Sequence, residues 1–163
     1  MRIQIRERRR VGGYGLLALV AGMLVPALAA AVTVSREIEF TMAGKLRAEL
    51  REQCQLQTRI PEAIAANSAE VELVDGEGEL ALEITEVHAP GGWVFSGPKW
   101  IQVNGRLTRE GKVLAFRAKR FSAFNPFAGG TCGILASISR AIGSDIAAWL
   151  ENPTPNAELG DAR

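Results

Sequence analysis

The fold class is decided by residues 99–120, which read KWIQVNGRLTREGKVLAFRAKR. Apolar or small residues take every second position on both sides of a turn at residues 109–111, and they are Ile101, Val103, Gly105, Leu107, Leu114, Phe116 and Ala118. A period of two is typical of a strand with one buried face. Because a short Gly-containing turn joins the two runs, the segment predicts a β-hairpin with one side in the core.

Further strands are predicted on the N-terminal side of this hairpin. Residues 32–40 alternate imperfectly, residues 71–74 form a short apolar run, and Leu80, Leu82 and Ile84 alternate with Glu or Ala. Each of these segments has one apolar side. We therefore predict an antiparallel sheet of four to five strands, one face of which must be covered by other elements.

Two main helices are predicted to cover that face. Apolar residues recur every four positions in residues 42–53, and a second apolar stripe runs through residues 132–150, ended by Asn152-Pro153. Pro61, at a first helical position, predicts one or two short helical turns between them. The predicted architecture is α+β, in the order strand-helix-strands-helix, with both main helices packed on one sheet face and one disulfide.

The first 31 residues predict a cleaved signal peptide. Five arginines within residues 1–10 precede an apolar run from about Tyr14 to Val25, and Ala27-Leu28-Ala29 fits a cleavage site. The run is shorter than a membrane span, although an uncleaved anchor read on through Val34 is the alternative. We therefore expect a periplasmic or secreted protein without a stable transmembrane span, with one domain at 32–152 and a loose tail at 153–163.

Charge changes sign when the leader is removed. The whole chain of 163 residues has a net charge of +1, with 19 basic and 18 acidic residues. Residues 1–31 hold five Arg and one Glu, so the remainder has 14 basic and 17 acidic residues and a net charge of −3. A mildly acidic domain lacks the overall basic surface of a nucleic-acid-binding protein, so no nucleic-acid partner is expected.

The two cysteines, Cys54 and Cys132, are expected to form a disulfide, since exported proteins mature in an oxidising compartment. The bond would place the first helix beside the last and antiparallel to it. The alternative makes Cys132 a nucleophile or redox thiol at a helix N-terminus, with the single histidine, His88, as its base. One histidine and two bonded cysteines argue against a zinc site, and we expect no metal and no cofactor.

One charged segment stands out as a candidate binding surface. Basic residues crowd the second strand of the hairpin and its turn, and those with candidate binding roles are Lys112, Arg117, Lys119 and Arg120. The neighbouring loops carry four aromatic candidates, which are Trp93, Phe95, Phe124 and Phe127. A solvated sheet face is the plain interpretation. The functional interpretation is a basic strip with apolar anchors that meets an anionic partner.

Several short motifs resemble those of small secreted proteobacterial proteins of unknown function. These motifs are Ser96-Gly97-Pro98-Lys99 before a strand, the Gly111-Lys112 turn, Thr131-Cys132 at a helix start, and Asp145-Ile146-Ala147-Ala148-Trp149-Leu150. The order of elements also resembles envelope accessory domains such as the lipopolysaccharide-assembly lipoprotein, although this chain has no lipidation cysteine at its cleavage region. The second resemblance is one of architecture and transfers no function, and the first group has no known activity to transfer.

The functional expectation is a non-enzymatic periplasmic binding or accessory domain. It would contact an envelope protein or an anionic lipid, such as a lipid headgroup or lipopolysaccharide, through the basic strand and the aromatic loops. The alternatives are a small thiol enzyme or redox protein that uses Cys132, and a structural or inhibitory module recognised through a sheet edge.

Overall fold

A computed structural model describes residues 31–41, 48–90, 97–122 and 129–162. Within these ranges the chain forms seven strands and three helices. The strands are β1 (Val32–Ser35), β2 (Glu39–Phe40), β3 (Val71–Val74), β4 (Leu80–His88), β5 (Trp100–Arg109), β6 (Lys112–Phe121) and β7 (Ala157–Gly160). The helices are α1 (Ala48–Cys54), α2 (Leu56–Asn67) and α3 (Gly130–Glu151). The α+β class and the disulfide are as predicted.

The hairpin at the centre of the sequence argument is β5–β6. Its register runs without interruption from Arg109 opposite Lys112 to Trp100 opposite Phe121. The two turn residues, Glu110 and Gly111, both have positive φ, at 52° and 74°, as a two-residue turn matched to strand twist requires. The hairpin forms because the alternation of apolar and polar residues in both strands and the residues of the turn favour the same local structure.

Gly105 has a packing role inside this hairpin. It lies opposite Phe116, and a Cβ at Gly105 would overlap the Phe116 ring. The ring therefore covers the glycine and packs against Trp149 of α3, with ring centroids 4.6 Å apart. One missing side chain thus lets an aromatic residue join the sheet to the helix layer.

The predicted antiparallel sheet of four to five strands is only partly correct, because the sheet is mixed and has seven strands. Its order is β3-β1-β4-β5-β6-β7, and β2 also pairs with β4. The β4–β5–β6 centre is antiparallel, whereas β1 pairs in parallel with β3 and β4, and β6 pairs in parallel with β7. Parallel neighbours need a long crossover. The helical segments supply it, since α1 and α2 connect β1 to β3 and α3 connects β6 to β7.

The prediction of a loose tail at 153–163 is wrong. Residues 157–160 form β7, which pairs with Phe116–Lys119 of β6, and the Asp161 amide donates to the Lys119 carbonyl at 2.8 Å. The Trp149 indole also donates to the Thr154 carbonyl at 3.2 Å. Because α3 returns the chain to the edge of β6, the tail gains backbone partners that its own pattern does not reveal.

The predicted short turns around Pro61 are part of a longer helix, α2, with Pro61 inside it. A proline within a helix leaves the carbonyl four residues earlier without its usual donor. That carbonyl belongs to Gln57, and it accepts a hydrogen bond from the Ile38 amide at 3.2 Å. Tertiary contact with the β1–β2 connection therefore offsets the bond that Pro61 removes. The helix starts after Gln55, whose φ of 50° separates α1 from α2.

The helix that packs along α3 is α2, which the prediction for the first and last helices did not include. The Cys54–Cys132 disulfide joins the end of α1 to the start of α3. Further along, a Cβ on Gly143 of α3 would overlap Ala63 of α2. These two points show that α2 runs beside α3 in the same direction. The predicted stripe residues Met42 and Leu46 lie outside the described residues.

The core lies between the helices and one face of the sheet. Its members come from all layers and include Val34, Ile84, Ile101, Val103, Leu107, Ile60, Leu135, Ile142 and Ile146. Helices α2 and α3 thus cover one sheet face. In the part of the chain described above, no helix combines the length and the apolar character that crossing a bilayer requires. The disulfide is consistent with an extracytoplasmic protein.

Candidate functional site

The sheet face turned away from the helices is the candidate functional surface, and we call it the open face. Side chains alternate between the two faces along each strand. The β4–β5–β6–β7 register therefore puts one set of side chains in rows on the open face. This set comprises Ala81, Glu83, Glu86, His88, Trp100, Gln102, Asn104, Arg106, Val113, Ala115, Arg117, Lys119, Phe121 and Glu158.

One end of the open face carries a cluster of rings, which we call the aromatic end. His88 stacks on Trp100 with ring centroids 3.7 Å apart, and Phe121 tilts toward Trp100 at 5.6 Å. The Lys119 ammonium lies between the last two rings, 5.5 Å from the Trp100 centroid and 5.3 Å from that of Phe121. Such cation–ring contacts hold the cluster together while Phe121 keeps 45% of its surface exposed.

The two aromatic-rich loops both leave the sheet at the aromatic end. The first joins His88 of β4 to Trp100 of β5, and the second begins after Phe121 of β6. Two hydrogen bonds between Lys99 and Ser122 join the bases of the loops: the Ser122 amide donates to the Lys99 carbonyl, and the Lys99 amide donates to the Ser122 hydroxyl. The predicted anchors Trp93, Phe95, Phe124 and Phe127 lie outside the described residues.

Two of the predicted basic residues lie on the open face, and each has a carboxylate neighbour. Arg117 pairs with Glu158 of β7. Lys119 lies 3.5 Å from a carboxylate oxygen of Glu86 on β4. The sequence predicted their outward direction from the alternation of β6, but it did not predict their partners. Their charges are therefore largely compensated within the chain, which weakens a purely electrostatic attraction to an anionic surface.

Arg120 faces the helices rather than the open face. Its Nε and an Nη atom each donate to Asp145 of α3 at 2.7 Å, and the guanidinium also lies 3.5 Å from Asp161. The hydrogen bonds with Asp145 raise the pKa of Arg120 above its ordinary value. Arg120 therefore ties β6 to α3 and to the C-terminal segment. Lys112 is exposed at the hairpin turn.

A trough crosses the open face below the aromatic end. It encloses about 900 Å³ and runs from the β1–β2 connection, Ser35–Glu39, across the middle of β4, β5 and β6 to residues 156–158. Its floor includes Gln102, Asn104, Arg106 and the small side chains of Ala81 and Ala115. A cavity of this size is in the range of ligand sites, although this one is open and polar.

The thiol alternative meets a geometric obstacle. Cys54 and Cys132 are joined, and Cys54 is fully buried. His88 is on the open face, whereas the disulfide lies in the helix layer on the opposite side of the sheet. The proposed thiol and base therefore cannot meet. Among the described residues, no three His, Cys, Asp or Glu side chains come together as a metal site.

The sequence argument missed the three residues of the aromatic end. Lys99, which the sequence placed only in a short motif before β5, is 1% exposed. The sequence indicated for His88 only the role of a possible catalytic base. The sequence could have indicated the pairing of these rings. Trp100 begins β5 and Phe121 ends β6, and the register set by the turn places them directly opposite each other.

Comparisons with known proteins give little further guidance. No family model matches the chain, and no curated protein matches it. A similar solved structure is a PelC dodecamer from Paraburkholderia phytofirmans, with a TM-score of 0.42 and 14% identity over 71% of this chain and 84% of that chain. A similarity of this size supports no conclusion about this protein. The resemblance to small secreted proteins stays a prediction.

Proposed function

We propose that the protein is a non-enzymatic binding or accessory domain of the bacterial periplasm that contacts an envelope component through the aromatic end and its two loops. The observation that carries the proposal is the exposed Phe121, supported from below by Trp100, His88 and Lys119. Exposed aromatic side chains on a rigid base are typical anchors of protein interfaces. The leader-like N-terminus and the disulfide support the periplasmic location.

Among the envelope components, a protein partner is favoured over an anionic lipid or lipopolysaccharide. Arg117 and Lys119 already have carboxylate neighbours, and Arg120 faces the helix layer. An anionic headgroup would have to compete with these carboxylates. An apolar partner surface, in contrast, gains from covering Phe121 without breaking any ion pair.

The test compares two substitutions on the same face of one strand. Phe121→Ser removes the exposed ring at the aromatic end, and Val113→Ser removes a residue that is 60% exposed at the other end of β6. Each variant, expressed with its own leader, is cross-linked in living cells and also incubated with vesicles that contain phosphatidylglycerol. We expect Phe121→Ser to lose a cross-linked protein that Val113→Ser keeps, with unchanged melting temperatures.

Two results would count against this proposal. Equal cross-linking by both variants would show that the aromatic end is not the contact. Vesicle binding that is lost in Arg117→Gln but kept in Phe121→Ser would favour the anionic-lipid alternative, with the basic strand as its contact.

A further inference from the structure

The trough holds carboxylates that no cation of the described chain neutralises. Glu39 of β2 lies directly opposite Glu83 of β4, and both belong to the lining of the trough. None of the ion pairs formed by the described residues includes either of them. Like charges directly opposite on neighbouring strands destabilise a sheet. This end of the trough therefore gains from the arrival of a cation.

The middle of the trough holds a positive charge, that of Arg106, which has no carboxylate partner among the described residues. Arg106 of β5 is exposed between Ala81 and Ala115, its direct neighbours on β4 and β6. It forms no ion pair with a described residue. Arg117, on the next row, is paired with Glu158. Arg106 thus stands above small side chains, where an incoming carboxylate can reach it without displacing another group.

The spacing of these charges fits an extended chain. Glu83 and Arg106 are diagonal neighbours, about 7–8 Å apart at the backbone. Glu39, one strand further, is about 12 Å from Arg106. Successive residues of an extended peptide rise by about 3.4 Å, so side chains two or four positions apart span these distances. Asn104 lies opposite Glu83 and two positions before Arg106 on β5, and it offers amide donors and an acceptor to a main chain.

We infer that the trough binds an extended peptide segment that carries a basic and an acidic side chain, with the basic group at Glu39 and Glu83 and the acidic group at Arg106. A ligand with charge of one sign would be repelled either by Glu39 and Glu83 or by Arg106. A peptide places both signs on one flexible chain. None of the residues at the aromatic end is needed, so this site stands or falls independently of the proposed function.

The test is an NMR titration of the ¹⁵N-labelled protein, expressed from its full sequence. Three blocked heptapeptides serve as probes: Gly-Lys-Ser-Gly-Ser-Glu-Gly, the same peptide with Gln in place of Lys, and the same peptide with Gln in place of Glu. The variants are Glu83→Gln and Arg106→Gln. Their matched controls are Glu62→Gln and Arg140→Gln, which remove the same charges from exposed positions on the helices.

We expect the doubly charged peptide to shift the amide signals of Glu83, Asn104 and Arg106. Each single-charge peptide should bind more weakly by about threefold or more, and so should each trough variant with the doubly charged peptide, as the size of exposed ion pairs implies. The helix controls and Phe121→Ser should bind like the unaltered protein. Equal binding of all three peptides, or unchanged binding by Arg106→Gln, would overturn the inference. A peptide-free dimer whose interface protects the trough would overturn it as well, because a second copy would then be the occupant.

Discussion

Removing the Cys54–Cys132 bond gives the prediction whose magnitude follows most directly from the structure. The two cysteines are 78 positions apart, so the bond closes a loop that includes α2, β3, β4, β5 and β6. In the chain-entropy model, closing a loop of this length stabilises the folded state by about 4–5 kcal/mol. Small domains have total stabilities of about 5–15 kcal/mol, so the bond supplies a large part of the free energy of unfolding.

The assay is urea unfolding followed by tryptophan fluorescence, with and without dithiothreitol. Reduction breaks the bond but leaves both sulfur atoms in the chain. It therefore separates the contribution of loop closure to stability from that of the packing of Cys54. We expect reduction to lower the midpoint by about 2 M urea, since m values of small proteins are about 1–3 kcal/mol/M. The variant Cys54→Ala/Cys132→Ala should unfold somewhat below the reduced midpoint, because it also removes the buried sulfur of Cys54, and it should not respond to dithiothreitol.

Two outcomes would refute this reasoning. A midpoint that reduction leaves unchanged would mean that the bond does not constrain the unfolded chain. An equal response of the alanine variant would place the effect of dithiothreitol elsewhere. Because Cys54 is fully buried and Cys132 is partly buried, we also expect the bond to be reduced more slowly in the folded protein than in the urea-unfolded protein. Rapid reduction of the folded protein by glutathione would instead favour the redox alternative.

Three further predictions concern the elements that support the open face. Gly105→Ala should lower the free energy of unfolding by about 1–3 kcal/mol, because its methyl group would overlap the Phe116 ring; a thermal melt like that of the unaltered protein would contradict this. Asp145→Asn should cost about 1 kcal/mol after allowance for the partial exposure of Arg120, and unchanged urea unfolding would show that Asp161 compensates fully. Deleting residues from Ala157 onward should accelerate hydrogen exchange in β6 but not in β3, and equal exchange would show that β7 contributes no protection.

The parts of the fold that sequence predicted well are those with local causes. The β5–β6 hairpin depends on alternation and on two turn residues, Glu110 and Gly111, that lie between its strands. The stripe of α3 and its end near Asn152 follow from a period of 3.6 and a proline stop. The disulfide was predicted from an even cysteine count in a chain whose N-terminal pattern predicts export. In each case the prediction depends on residues that are close in sequence, or on a rule that applies whatever the fold.

The errors concern contacts between distant segments. Residues 157–160 have too short a pattern to predict a strand, and they form one because α3 brings them to the edge of β6. Pro61 lies inside α2 because the Ile38 amide bonds to the carbonyl that the proline leaves free. The strand at 32–40 was predicted, but the parallel pairing of β1 was not, and β7 was not predicted at all; both parallel pairings depend on helical crossovers.

For the candidate site, sequence alone determined which side chains of β6 point outward and that both aromatic-rich loops adjoin the same hairpin. These features follow from the two-residue period of a strand and from its register. Only the tertiary structure decided which basic side chains have a carboxylate partner and which do not. It pairs Arg117 with Glu158, 41 positions away, and Lys119 with Glu86, 33 positions away, while Arg106 stands between two alanines. A charge is neutralised by its neighbours in space, and the folded sheet chooses those neighbours from strands far apart in the chain.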